Sequence, residues 1–256
     1  MKYGVMENVL KQSWERMFSE AKRLGFNGLE LDVREDYKGS RLWSLAGREF
    51  IETSVDETGV EVRSLCLHLL NNRKYSPASP DESERRRGVE VITQAIGVCK
   101  DIGARVILMP FFGTAIISSE EAKELLITEL QKCAETAEVE EVYLAVESTL
   151  SAEETLKVVR SVDSPYVKVY FDVGNALWQG YDPVKEIEAL GKEIVQVHIK
   201  DTQNKPLGEG RVNLKAALGA LSKIGYDGYL VLETPSVPDP IKAAKANLEY
   251  LKKQMS

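Results

Sequence analysis

Eight short runs rich in β-branched and aromatic residues alternate with eight amphipathic stretches along a chain of 256 residues, and this alternation limits the possible folds more than any other feature. The runs predict strands at 2–6, 28–32, 61–68, 105–110, 142–147, 167–172, 194–199 and 229–233. The 3.6-residue periodicity predicts helices at 13–24, 45–58, 80–101, 119–138, 151–161, 182–191, 212–224 and 239–253. Repeated βα units build either a closed barrel or an open doubly wound sheet. Eight units in about 250 residues favour the barrel. The expected fold is therefore α/β, a single (β/α)₈ TIM-barrel domain over residues 1–256. An open sheet usually carries a GxGxxG or Walker loop, and neither pattern occurs here.

Local signals support the predicted helix ends. Ser79-Pro80-Asp81 reads as an N-cap, a first-turn proline and an acid for the helix dipole. Ser151 with Glu154 has capping-box spacing, and Asp182-Pro183 opens another helix. Glycines follow Leu24, Ile102 and Ile224, where a left-handed residue can end a helix. Leu24-Gly25-Phe26-Asn27-Gly28 echoes Ile224-Gly225-Tyr226-Asp227-Gly228, and each precedes a strand that ends in an acid.

Composition narrows the partners. Hydrophobic residues at 43% can fill a core, and charged residues at 29% suit a water-facing surface. A net charge of −7 and a pI of about 5.2 argue against nucleic acid, whose binding is dominated by basic surface. They leave room for a small phosphorylated substrate. Cys66, Cys99 and Cys133 are odd in number and form no CxxC, so neither a disulfide framework nor a zinc ribbon is expected. Cys99 and Cys133 fall on apolar helix faces and read as core. A reducing cytoplasm follows. No apolar run approaches the roughly 18 residues of a membrane span, and residues 1–10 lack the build of a signal peptide.

Barrel enzymes place their chemistry at the carboxyl ends of strands. The last four predicted strands end, or nearly end, on Glu147, Asp172, His198 and Glu233. The spacings, 172 − 147 = 25, 198 − 172 = 26 and 233 − 198 = 35, are each about one βα unit. The four side chains should therefore sit at equivalent heights on neighbouring strands. Three carboxylates so close would repel unless a cation joined them. Mixed oxygen and nitrogen donors suit one divalent ion, Mn²⁺, Mg²⁺, Co²⁺ or Zn²⁺. A single acid at a strand end is commonly a helix cap or an ion-pair partner; four in consecutive strands make a stronger case.

Further candidates are substrate contacts. His68, the only other histidine, closes the third predicted strand. Lys200 should share the inward face with His198 by strand alternation, or else pair with Asp201 at the rim. Lys205 and Arg211 lie in the loop after the seventh strand, near where barrels often hold phosphate, and Gly208-Glu209-Gly210-Arg211 reads as flexible. Trp178 either walls the pocket or packs in the core. The Glu84-Arg85-Arg86-Arg87 cluster reads as a solvated helix face.

Glu147, Phe171-Asp172-Val173-Gly174-Asn175, Val197-His198-Ile199-Lys200-Asp201, Gly208-Glu209-Gly210-Arg211-Val212 and Leu232-Glu233 together resemble the xylose-isomerase-like barrel superfamily. Within it they resemble the sugar and sugar-phosphate isomerase/epimerase group, which includes D-tagatose 3-epimerase, L-ribulose-5-phosphate 3-epimerase and hydroxypyruvate isomerase. The resemblance covers nearly the whole chain and is strongest from 142 to 235. It implies that Glu147, Asp172, His198 and Glu233 bind a catalytic metal. It also implies that Glu147 and Glu233 are the acid/base pair, working beside a ketose carbonyl through an enediolate that the cation stabilises, most simply in a 3-epimerisation. Glu153 matches a substrate-contacting glutamate of the tagatose-type enzymes, although an acid in a first helical turn also suits the dipole. Two positions depart from that type. Asn175 stands where it has histidine, and Asn204, followed by Lys205, stands where it has arginine. The partner implied is a small sugar or sugar phosphate, with no nucleic acid or membrane, in a homodimer or homotetramer.

Other activities share the scaffold. Inosose dehydration and keto-inositol isomerisation would use the same chemistry. A type IV apurinic endonuclease would need a histidine-rich three-zinc site that two histidines cannot furnish. A non-catalytic sugar-binding protein would not need the complete quartet.

Overall fold

A computed structural model describes residues 1–255. Its strands are β1 (Lys2–Met6), β2 (Gly28–Asp32), β3 (Glu61–Cys66), β4 (Val106–Phe111), β5 (Tyr143–Ser148), β6 (Val167–Asp172), β7 (Ile194–Ile199) and β8 (Tyr229–Leu232). Each pairs in parallel with the next, and β8 pairs with β1 through Lys2–Tyr229 to Val5–Leu232, closing the barrel. The helices are α1 (Glu7–Leu10), α2 (Trp14–Leu24), α3 (Leu45–Thr58), α4 (Glu82–Ile102), α5 (Glu120–Val139), α6 (Ala152–Ser161), α7 (Val173–Trp178), α8 (Pro183–Leu190), α9 (Leu214–Lys223) and α10 (Pro240–Met255). The (β/α)₈ expectation holds, with every long element within a few residues of its predicted place.

The strands read as apolar runs because both faces are covered, one by the barrel interior and one by the helices. All six residues of β4 are buried. Caps set the helix starts: Ser151 Oγ accepts from the Glu154 amide at 3.3 Å, and Asp182 Oδ1 accepts from the Val184 amide at 3.0 Å. Gly25 and Gly103 end α2 and α4 in the left-handed conformation, as the sequence indicates. Cys99 and Cys133 are buried in the core.

Several local expectations need correction. The cap of α4 is Asp81, accepting from the Ser83 and Glu84 amides, so Pro80 lies outside the helix and Ser79 is not its cap. Strand β3 stops at Cys66, and His68 begins a 3₁₀ turn over His68–Asn71. Arg85 is not a solvated face residue, because it pairs with the buried Glu129 at 3.0 Å. No helix of the described residues is long and apolar enough to cross a membrane.

Candidate active site at the carboxyl end of the barrel

Strand register delivers the quartet to one end of the barrel. Asp172 is the direct cross-strand partner of His198, and the Glu233 amide donates to the Ile199 carbonyl at 3.1 Å. Glu147, Asp172 and His198 each offer a ligand atom within 4.8 Å of the others, and all three are buried. The Glu233 Oε2 atom lies 3.2 Å from His198 Nδ1.

The polar atoms divide into those already used and those left over. Asp172 Oδ1 caps α7 by accepting from the Asn175 amide at 2.8 Å. Its Oδ2 faces the site, 3.7 Å from His198 Nδ1 and 2.9 Å from Lys200 Nζ. Neither Asp172 Oδ2 nor His198 Nδ1 has a well-directed hydrogen bond, although both are buried. Two buried atoms without a directed hydrogen bond, with the Glu147 and Glu233 carboxylates beside them, form a donor set that fits a divalent cation.

Electrostatics separate the two glutamates. Burial, reinforced by the Asp172 charge, pushes Glu147 up to about 8. Burial also acts upward on Glu233, but His198 and Lys200 outweigh it and hold this carboxyl well below its usual range. Burial acts downward on His198, and the charges of Glu30 and Glu233 reverse it, lifting the imidazole well above its usual value.

Lys200 is not a rim lysine paired with Asp201. Its Nζ bridges Asp172 and Glu233, at 2.9 Å from each. A side chain on residue 174 would have its Cβ only 2.6 Å from Lys200 Cγ, so Gly174 lets the lysine stem pass. Asp201 organises the following loop instead, accepting from the amides of Thr202, Gly208 and Val212 at 2.8–3.1 Å. The segment read as flexible is thus tied down.

A cavity of about 710 Å³ opens beside Glu233, bordered also by Asn175, Trp178, Lys200, Asn204 and Thr234. Trp178 keeps 62% of its surface exposed there, which makes it pocket wall rather than core. Asn175 Nδ2 donates to Glu147 Oε1 at 2.8 Å. His68 borders a second cavity across the mouth, of about 670 Å³, with Arg34 and Asn71. Its Nδ1 lies 3.8 Å from Asp32 Oδ1. Asp32, Cys66 and His68 also cluster within 4.8 Å, with Arg34 Nη2 2.5 Å from Asp32 Oδ2.

Three candidates stand apart from the quartet. Glu153 is exposed and pairs with Lys157 at 2.8 Å along α6. Lys205 and Arg211 are exposed, and neither borders the 710 Å³ cavity. Conversely, the sequence reading passed over the floor of the site. Glu30, Ser64, Tyr170 and Gln196, from β2, β3, β6 and β7, meet inside the barrel below His198. Their signal is visible in hindsight as polar residues on the inward parity of otherwise apolar strands, Gly28-Leu29-Glu30-Leu31 and Ile194-Val195-Gln196-Val197.

Residues 18–254 match the family model described as the xylose isomerase-like TIM barrel. The chain belongs to that family. Among its curated relatives is L-ribulose-5-phosphate 3-epimerase UlaE of Escherichia coli strain K12, 30% identical over 270 residues, covering 99% of this chain and 94% of the relative. Among solved structures, L-ribulose 3-epimerase superposes with a TM-score of 0.86 at 20% identity, over 99% of this chain and 94% of the other. D-psicose 3-epimerase from Clostridium cellulolyticum H10, solved with D-tagatose, gives 0.84 at 19% identity over the full length of both. The relatives of this xylose isomerase-like barrel are thus sugar epimerases, of the isomerase class.

Proposed function

We propose that this barrel is a divalent-cation-dependent ketose 3-epimerase acting on a small sugar or sugar phosphate. The observation that carries the reading is the placement of Glu147 on β5 and Glu233 just past β8, at the two ends of the β5–β8 arc, flanking Asp172 and His198, with a cavity opening beside Glu233. Glu147, Asp172, His198 and Glu233 would hold the cation, with Mn²⁺, Mg²⁺, Co²⁺ and Zn²⁺ all suited to the donor set. When bound, the cation supplies Lewis-acid stabilisation of the negative charge that develops on the substrate oxygens.

The chain's own groups do the proton work. One glutamate takes the C3 proton of the ketose, leaving an enediolate, and the other returns a proton to the opposite face of C3. Carboxylates at the two ends of a four-strand arc suit that two-sided transfer better than a one-sided shift between carbons. Asn175 keeps Glu147 oriented through its 2.8 Å bond. Lys200 offers a cationic donor to a substrate oxygen, and Trp178 screens the site from water. The UlaE similarity makes a ketopentose 5-phosphate the first substrate to try. Burial of all three cysteines as free thiols suits a reducing cytoplasm.

The test is solvent deuterium incorporation at C3 in D₂O, followed by proton NMR with each metal, over a panel of ketoses, ketose phosphates and cyclic keto-polyols. Wild-type protein is expected to exchange C3–H of one ketose, and Glu147→Gln and Glu233→Gln to lose that exchange. Retention of full exchange by both variants refutes the assignment. Turnover of a cyclic keto-polyol alone would favour the dehydratase or inositol-isomerase alternative.

A further inference from the structure

Below the quartet lies a further carboxylate, in contact with His198. Glu30, in the middle of β2, has no solvent exposure at all. Its Oε2 accepts from Ser64 Oγ at 2.7 Å and Tyr170 OH at 2.9 Å, with Gln196 Nε2 at 3.5 Å. Gln196 Nε2 also donates to Ser64 Oγ at 2.6 Å and contacts Tyr170 OH at 3.2 Å, which ties the donors to one another. The other oxygen, Oε1, lies 2.7 Å from His198 Nε2. Tyr170 packs its ring against the same imidazole, with centroids 4.5 Å apart.

We infer that Glu30 is the positioning residue that fixes His198 as a metal ligand through Nδ1. The argument is one of donors and acceptors. A carboxylate surrounded by hydroxyl and amide donors can only accept from the imidazole, so Nε2 must carry the hydrogen. In the neutral ring, the form in which histidine ligates a metal, that leaves the Nδ1 lone pair free, and Nδ1 is the buried atom without a directed hydrogen bond that faces Asp172 and Glu233. The ring cannot rotate without breaking a fully buried charge-assisted bond and the Tyr170 contact. Partners of this kind hold a ligating histidine in one tautomer and orientation, and losing them typically weakens metal binding about 10–100-fold. Glu30 touches no substrate; it acts through His198.

This inference rests on the reading of the quartet as a cation site, and the experiment separates the two. Mn²⁺ is titrated calorimetrically into metal-stripped wild type, Glu30→Gln, Tyr170→Phe and Asp172→Asn. Tyr170→Phe removes one donor to Oε2 and leaves the Oε1–His198 bond in place. The expected result is about 10–100-fold weaker binding in Glu30→Gln and a smaller loss in Tyr170→Phe. Wild-type affinity in a folded Glu30→Gln overturns the inference and leaves the quartet standing, whereas wild-type affinity in Asp172→Asn, or no binding by wild type, overturns both. Should Glu30→Gln fail to fold, the wild type decides alone. The chain has only two histidines, so ¹⁵N-imidazole spectra of the Mg²⁺-loaded protein, assigned with His68→Asn, report the His198 tautomer directly. Hydrogen on Nε2 supports the inference, and hydrogen on Nδ1 overturns it.

Discussion

Glu147 and Glu233 carry the same functional group in opposite surroundings. One is lifted to about 8 by burial, and the other is held low by His198 and Lys200. On the proposed two-sided transfer each carboxylate is required, one on each face of C3. Removing either carboxylate is therefore expected to cost at least about 100-fold in kcat, the lower end of a general acid–base contribution. Glu153→Gln, which removes only a surface pair with Lys157, should leave kcat and KM within twofold under the same assay. A separate expectation concerns Glu7, at the start of α1, which burial raises from 4.5 to about 7. Such a carboxyl stabilises the fold fully below pH 4.5, and that contribution is lost as pH rises through 7. Urea unfolding of Glu7→Gln, whose side chain can still accept from the Asp32 amide, should show the variant gaining on wild type between pH 4.5 and pH 8. The gain should reach at most roughly 3 kcal/mol. A pH-independent difference would refute the assignment of that burial cost.

Among elements, the loop from Asp201 to Val212 shows what a strand-end pattern leaves out. Its glycines suggested mobility, yet Asp201 gathers three backbone amides and Gly210 packs directly on that carboxylate. A Cβ at 210 would fall 2.0 Å from Asp201 Oδ1. Gly210→Ala is expected to cost about 1–3 kcal/mol in urea unfolding, the usual range for overpacking. It should also raise KM, because Asn204 in the same loop borders the cavity. Unchanged stability would show that the loop yields easily. The long helices were legible because a 3.6-residue period repeats several times within each, and the eight strands because both covered faces keep them as β-branched and aromatic apolar runs. The two short helices, α1 and α7, were not. Four and six residues are too few to show a period, and α7 exists because Asp172 caps it, a consequence of where β6 ends. The quartet was legible through spacings of about one βα unit between metal-capable residues on consecutive strands. The Glu30 network was not, because its members lie in separate strands and only barrel closure brings β2 opposite β6 and β7.

At the scale of the molecule, a cation shared by β5, β6, β7 and β8 would join half of the barrel's staves. Ligand binding to the native state alone raises stability by RT ln(1 + [L]/Kd), about 2.7 kcal/mol at a hundredfold excess over Kd. For a domain of this size that corresponds to a rise in Tm of roughly 5–10 °C. Stripping the protein with EDTA and restoring Mn²⁺ should lower and then recover Tm by that amount in differential scanning calorimetry, and Asp172→Asn should abolish the response. Equal shifts in both proteins would place the stabilising cation elsewhere.

Strand β7 has a consequence for how such an enzyme can change. Gln196, His198 and Lys200 succeed one another up the same inward side, from the sealed floor, through the ligand, to the mouth of the cavity. On the proposed function the strand would work as a depth gauge, with folding, metal capture and substrate choice read off at successive marks. Substrate range can drift at the top mark while the lower two stay fixed. A one-residue slip in the register of the strand would turn all three marks to the outer face together.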